Sequence, residues 1–156
     1  MLKDIIKHLE LTWHSALPEE SNDIVVLVPQ YNESQKSNFQ ERLEYFGNLA
    51  SKHSHFLDII VIDDGSTDNS VKLIKEFVDP KTTSFYFVSV FPNAQKVGAI
   101  RLTLSSLQHK YVILTDFDTN LENLENLYQS IDELAQNSSL MGCYFKMIPS
   151  GPNGLL

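Results

Sequence analysis

Asp116-Phe117-Asp118 places two carboxylates two positions apart, directly after the apolar run Tyr111-Val112-Ile113-Leu114. At the exit of a strand both can face one cavity. Their repulsion is costly unless a cation sits between them, and oxygen-only ligands suit Mg²⁺ or Mn²⁺. Such an ion keeps several waters and completes its shell with substrate phosphates. Taken alone, the string reads more readily as a solvated turn or a helix cap. A second acidic string, Asp63-Asp64-Gly65-Ser66, follows the run Ile59-Ile60-Val61-Ile62. A carboxylate there can accept a ring N–H of a nucleobase, and Gly65 lets the backbone turn sharply or approach a ligand closely. By itself this string is slightly better explained by a turn leading into an N-capped helix.

Cations that could meet an anion stand in Asn93-Ala94-Gln95-Lys96-Val97-Gly98-Ala99-Ile100-Arg101. Lys96 and Arg101 flank the start of a predicted helix, where unpaired N–H groups and the positive end of the dipole favour negative charge. The competing reading leaves both in solvent, as most lysines and arginines are. His8, His14, His53, His55 and His109 are scattered without metal-ligand spacing and are read as structural. There is no G-x-S-x-G nucleophile elbow and no G-x-x-x-x-G-K-[ST] phosphate loop.

The elements that must position these residues follow from the hydropathy pattern. Ile24-Val25-Val26-Leu27-Val28 is a continuous apolar run, β-branched except at Leu27, expected for a strand buried on both faces. Phe39, Leu43, Phe46 and Ala50 then mark one stripe of a helix. After the second strand, Thr67 or Asp68 is the expected cap of a helix whose buried face is Val71, Ile74 and Phe77 or Val78. Ser84 to Phe91 reads as a third strand. Val97, Ile100, Leu104 and Leu107 read as the next helical face. Tyr111 to Leu114 is a fourth strand. Asn120 is the expected cap of a helix bearing Leu121, Leu124, Leu127, Ile131 and Leu134, and Leu140 to Met147 is a candidate last strand. Alternating strands and helices with short connections predict an α/β fold, a mostly parallel sheet covered by helices. In such sheets ligands bind beyond the carboxyl ends of the strands, and that is where the polar strings gather.

The boundaries expected from this pattern are an N-terminal amphipathic helix over 1–20, a binding domain over 21–148 and a Gly/Pro-rich tail over 149–156. The helix rests on Ile5, Ile6, Leu9 and Trp13 and ends at Pro18. It would pack against the outside of the domain, with self-association or a membrane surface as its other uses. The 156 residues, 42% hydrophobic and 21% charged, suffice for one compact domain. A net charge of −8 argues against a nucleic-acid partner, although a small anion can still be met by local cations, backbone N–H groups or a metal. Cys143 is the only cysteine, so there is no internal disulfide and no cysteine-based zinc site. Asp4, Lys7 and Glu10 interrupt the N-terminus, which is not a signal peptide, and no run nears the roughly 18 apolar residues of a membrane span. The expectation is a soluble cytoplasmic chain, with a peripheral place at the inner face of the membrane as the other use of its first helix.

In order along the chain, VPQYNE at 28–33, VIDDGSTDNS at 61–70, NAQKVGAIR at 93–101 and YVILTDFDTNL at 111–121 resemble the family 2 glycosyltransferases. The resemblance implies the Rossmann-like GT-A fold, a nucleotide-diphosphate sugar donor, most often a UDP-sugar, and a divalent metal, Mg²⁺ or Mn²⁺. It places Pro29, Tyr31 and Glu33 along the nucleoside pocket and Asp64 on the uracil ring or its equivalent, with Asp63 beside it. Lys96 and Arg101 would lie near the nucleotide. Asp118 would coordinate the metal, and Asp116 would contact the ribose or sugar while sharing the metal corner. In the family an acidic residue of a downstream acceptor-binding half acts as base in an inverting displacement. No matching motif occurs before Leu156, and Asp132 and Glu133, on a predicted helix, are poor candidates. The expectation is therefore a donor-binding portion whose acceptor, a glycan or a lipid carrier, is met elsewhere. The alternatives weighed beside it are a phospho-receiver-like signalling module, a haloacid-dehalogenase-type phosphatase and a non-catalytic nucleotide-binding domain. The receiver lacks an Asp after its third strand, and the D-x-D here continues with Thr119-Asn120 instead of the phosphatase's Gly and Thr.

Overall fold

A computed structural model describes residues 8–16, 22–78 and 83–145. The chain divides into two compact units, Met1–Asn120 and Leu121–Leu156. The first holds a five-stranded sheet among its described residues. Its elements are β1 (Glu10–Trp13), β2 (Ile24–Gln30), α1 (Phe39–Lys52), β3 (Leu57–Asp63), α2 (Ser70–Phe77), β4 (Phe85–Phe91), α3 (Gln95–Leu104) and β5 (Tyr111–Leu114). The second unit carries α4 (Leu124–Gln136).

The strand order is β1-β4-β3-β2-β5. Strands β2 to β5 run parallel, and β1 is antiparallel to β4 at one edge. Every residue of β2 and β3 is buried, which explains why both read as unbroken apolar runs rather than alternating ones. On one face Val25, Leu27, Ile60, Ile62, Val88 and Val90 pack with Ala99 and Ile100 of α3. The side chains of alternate positions, among them Val26, Val28, Ile59 and Val61, point to the opposite face and are also fully buried. At about 1.5–3 kcal/mol for each large aliphatic side chain buried, these two central strands supply a large share of the stabilisation. From β2 the chain steps to β3 and β4 on one side, then returns to place β5 on the other. The strand order thus reverses between β2 and β5.

Several expectations are corrected. The segment expected as a helix over 1–20 is, at residues 10–13, strand β1. Within so short a window Leu9 and Trp13 satisfy a helical spacing, but Leu9, Leu11 and Trp13 also alternate, and it is this alternation that packs against the core. The pairing Glu10 with Phe91 through Trp13 with Val88 satisfies the edge of β4, and His14 N–H continues it to the Phe87 carbonyl at 2.9 Å. Ile5 and Ile6 lie outside the described residues. In α3 the buried face is Ala99, Ile100 and Thr103, whereas Val97 is 77% exposed. The cap of α2 is Asn69 rather than Thr67 or Asp68, although Asp68 Oδ1 accepts from Ser70 N–H at 2.9 Å. The cap of α4 is Asn123, in the left-handed region at φ 66°, and not Asn120. Residues 140–145 form no strand, and the remainder of that expected element lies outside the described residues, as does the 149–156 tail. The compact division falls after Asn120, well inside the expected 21–148 domain.

Candidate functional site

Four segments converge at the carboxyl ends of the parallel strands. The loop after β2 is stitched to the loop after β3. Asn32 N–H donates to Ser66 Oγ at 2.8 Å, while Asn32 Oδ1 accepts from Thr67 N–H at 2.8 Å. Ser34 donates through both N–H and Oγ to Asp68 Oδ2, at 3.1 and 2.7 Å. Burial pushes the Asp68 carboxyl up, but the bonds from Ser70 and Ser34 outweigh it and its pKa is lowered. Polar residues that read as an ordinary turn therefore weld two strand exits together.

Asp64 forms the floor of the site at the end of β3, 4% exposed. Its Oδ1 accepts Ala94 N–H at 2.7 Å and its carbonyl accepts Asn93 Nδ2 at 2.6 Å, so the loop after β4 is held across it. Gly65, at φ +71°, makes that crossing feasible, because a Cβ there would lie 2.6 Å from Asn93 N. Burial raises the Asp64 pKa, Ala94 N–H opposes the shift, and the neighbouring Asp63 charge adds to it.

Around Asp64 lies a cleft of about 280 Å³. Pro29, Tyr31 and Glu33 line it from the β2 exit, Lys96 from α3, and Asp116 and Asp118 from the β5 exit. Seven of the residues singled out in the sequence are thus brought together. Two are not. Asp63 is 1% exposed and is bound instead to the Gln30 side-chain amide and to Ser66 N–H at 3.0 Å. Burial raises its pKa against those hydrogen bonds. Arg101 is exposed further along α3 and does not line the cleft.

The charges are locally balanced. Lys96 Nζ forms an ion pair with Asp116 Oδ1. Lys36 pairs with Glu33 at 2.6 Å; that hydrogen bond raises the lysine pKa against slight desolvation, aided by the charges of Glu33 and Asp118. The carboxylate of Asp118 is exposed and makes no hydrogen bond among the described residues.

Three contributors were not singled out in the sequence. Gln30 and Phe117 also line the cleft. Phe117, treated as a spacer between two acids, is 4% exposed and packs its ring 5.5 Å from Phe39 and 6.1 Å from Phe46. The third is Arg42 of α1, which donates to the Phe117 carbonyl at 2.7 Å. An apolar residue between two acids was the available signal for Phe117, since a large ring in a polar corner needs an apolar surface to pack on. Gln30 is a polar residue ending a buried run. Arg42 gave no signal beyond its place on the helix.

Among the described residues no group of three His, Cys, Asp or Glu side chains gathers as a metal cluster. Two hard carboxylates on one cleft fit a Mg²⁺ or Mn²⁺ ion that takes its other ligands from water and phosphate. They do not fit an ion needing an all-protein cage.

A parallel sheet whose order reverses beside an acidic cleft defines a doubly wound nucleotide-binding architecture, and comparison with solved structures makes it the GT-A fold. The mannosyltransferase PcManGT of Pyrobaculum calidifontis, in complex with GDP-Man and Mn²⁺, superposes with a TM-score of 0.58 at 23% identity, over 85% of this chain and 37% of that one. TarS 1-349 of S. aureus, in complex with UDP-GlcNAc, gives 0.53 at 22% identity, over 72% and 32%. The model of glycosyl transferase family 2 matches residues 25–153, and the chain belongs to that family. The dolichyl-phosphate beta-glucosyltransferase of Dictyostelium discoideum is 24% identical over 132 residues, 81% of this chain and 40% of its own length. The poly-beta-1,6-N-acetyl-D-glucosamine synthase of Staphylococcus epidermidis is 30% identical over 122 residues, 78% of this chain and 28% of its own. The chain thus spans well under half the length of these curated relatives.

Proposed function

We propose that this chain binds the donor of a glycosyltransferase, a nucleotide-diphosphate sugar with UDP as the favoured nucleotide, together with Mg²⁺ or Mn²⁺. The observation that carries this reading is the convergence of Asp64, Lys96, Asp116 and Asp118 on one cleft at the reversal of strand order. The Asp64 carboxylate would accept the ring N–H of the base, with Pro29, Tyr31 and Glu33 beside the nucleoside. Lys96 would turn from Asp116 to the diphosphate, and Asp118, with Asp116, would hold the metal. When bound, the ion would neutralise charge developing on the departing diphosphate. The acceptor, a glycan or a lipid carrier, and the base that deprotonates it belong to the reaction of the whole enzyme. The cytoplasmic face of a membrane is where a lipid-carrier acceptor would be met; among the described residues no helix is long and apolar enough to cross one. A phospho-receiver is disfavoured: Asp63 of its would-be acidic pair is buried and tied to Gln30, and β4 ends in Phe91 rather than Asp.

The test is thermal unfolding with UDP, GDP or acetyl phosphate, each with and without Mn²⁺. Ligand at about 100 times its Kd stabilises by about 2.7 kcal/mol, which for a chain of this size raises Tm by roughly 5–11 °C. A Mn²⁺-dependent rise with a nucleoside diphosphate is expected, and Asp118→Asn should remove the metal-dependent part. No such rise with either nucleotide overturns the reading; a rise with acetyl phosphate instead favours the receiver.

A further inference from the structure

Arg42 is a charged side chain only 9% exposed. Burying a guanidinium costs several kcal/mol unless its donors are met, and a carboxylate is the usual partner. Among the described residues Arg42 has none. Its three hydrogen bonds among the described residues all go to one four-residue turn. Nε donates to the Phe117 carbonyl at 2.7 Å, one Nη to the Thr119 carbonyl at 2.8 Å, and the other Nη to Asn120 Oδ1 at 2.6 Å. The guanidinium carbon lies 4.6 Å from the ring centre of Tyr45 and 5.1 Å from that of Phe46, both on its own helix. The side chain therefore cannot swing without losing both its ring contacts and its bonds.

Asp118 sits in the middle of the clamped turn. The carbonyl of Phe117 fixes the peptide plane on its N-terminal side, and the carbonyl of Thr119 fixes the next plane but one. Thr119 N–H closes the turn onto the Asp116 carbonyl at 3.1 Å. The Asp118 carboxylate has no hydrogen bond among the described residues, so what carries it is the turn's backbone, with the charge of Lys36 nearby. Arg forms such a fork where Lys cannot, because its planar donors reach several acceptors at fixed angles. Charge-assisted bonds of this length are the strong ones.

We infer that Arg42 is a positioning residue for the metal corner: its fork on Phe117, Thr119 and Asn120 holds Asp118 in the direction from which it ligates a divalent ion, and so sets how much that ion strengthens nucleotide binding. This rests on the donor-site reading above. It concerns a residue of α1 that does not line the cleft.

The experiment compares the parent with Arg42→Met, Arg42→Lys and, as a destabilised control, Ile74→Ala, whose side chain is buried on α2 away from the cleft. Kd values for UDP and GDP are measured by calorimetry with and without Mn²⁺, on protein shown to be folded by circular dichroism. Amide exchange at residues 117–119 is followed with no ligand present. In Arg42→Met the metal-free Kd should stay within twofold of the parent, the gain on adding Mn²⁺ should shrink at least tenfold, and exchange at 117–119 should quicken. Arg42→Lys should fall between the two, and it carries the test if the methionine variant does not fold. Ile74→Ala should lose stability while keeping the full Mn²⁺ gain. If Arg42→Met keeps the parent's gain within twofold, or if Ile74→Ala loses it equally, the inference is overturned while the donor-site reading stands. If the parent itself shows no Mn²⁺-dependent binding, the donor-site reading fails, and this inference with it.

Discussion

Replacing Gly65 by alanine tests how the base of the cleft is built. Gly65 has φ +71°, and a left-handed backbone costs an L-residue about 1 kcal/mol. The added Cβ would stand 2.6 Å from Asn93 N and 2.9 Å from Asn93 Cα. Both are backbone atoms, so no flexible side-chain tip can yield, and the segment 92–94 must move by several tenths of an ångström. That segment supplies the Asn93 Nδ2 bond to the Asp64 carbonyl and the Ala94 N–H bond to the Asp64 carboxylate. Leaving a buried acceptor without its donor costs about 1–3 kcal/mol. Strain and one lost donor together predict a loss of roughly 2–4 kcal/mol, or roughly 4–16 °C in Tm for a domain of this size. Urea unfolding followed by the fluorescence of Trp13, the only tryptophan, which packs against the core, reads this directly. Gly142→Ala is the control, because a Cβ there meets nothing within 4 Å; it should change stability by less than about 0.5 kcal/mol. Should Gly65→Ala stay within 1 kcal/mol of the parent at unchanged m-value, the close crossing of the two loops is not what shapes this site.

Phe117→Ala should cost about 3–5 kcal/mol in the same urea assay, because it empties a site lined by Phe39 and Phe46, whereas Phe117→Leu should cost less than about 1.5 kcal/mol; equal small effects would mean that the ring does not anchor the turn. Burial pushes Asp58 up, but hydrogen bonds from His109 at 2.9 Å and from Asn22 outweigh it, and its pKa lies below the usual 3.8. A depressed folded pKa gives stability that is present above the unfolded value and lost as pH falls through the folded one, so the parent should weaken below about pH 4. Asp58→Asn should flatten that decline, and an unchanged slope in acid urea titrations would refute the assignment. Asp63 has the opposite sign: its raised pKa means that its stabilising share is present below pH 3.8 and lost as pH rises through the folded value. Asp63→Asn should therefore remove part of the decline above pH 3.8 and, with the Gln30 amide free to turn its unpartnered Oε1 toward the new amide, keep stability at pH 7 within about 1 kcal/mol. A loss at pH 7 of the roughly 3 kcal/mol typical of a broken buried pair would show that the charged form is needed.

The parallel sheet was legible because its central strands are buried on both faces, and Ile24-Val25-Val26-Leu27-Val28 and Ile59-Ile60-Val61-Ile62 admit no amphipathic reading. Placing the site at strand exits needed only the rule that ligands of open parallel sheets bind there. What stayed hidden depended on contacts distant in sequence. Leu9, Leu11 and Trp13 satisfy two periods at once, and only the open edge of β4 decides between them. Val97 stands at a helical spacing from Ile100, yet the face that meets the sheet is that of Ala99, Ile100 and Thr103. Asp63 and Asp64 are adjacent and chemically identical. Alternation at the end of β3 sends one toward Gln30 and the other into the cleft.

A turn, not a strand, makes the Asp116-Phe117-Asp118 corner: Thr119 N–H closes onto the Asp116 carbonyl at 3.1 Å, and Phe117 buries most of its ring while both acids line the cleft. Phe117 meets α1 twice, its ring packing against Phe39 and Phe46 and its carbonyl accepting from Arg42 of the same helix. The two acids are then unequal. Asp116 is engaged by Lys96, while Asp118 has no hydrogen bond among the described residues. An exposed ion pair such as Lys96–Asp116 contributes at most about 1 kcal/mol, so an incoming diphosphate can take the lysine at little cost. In the donor-site reading Asp118 would need no such exchange, since its carboxylate has no hydrogen bond among the described residues to give up and the turn that carries it is bonded to the buried Arg42.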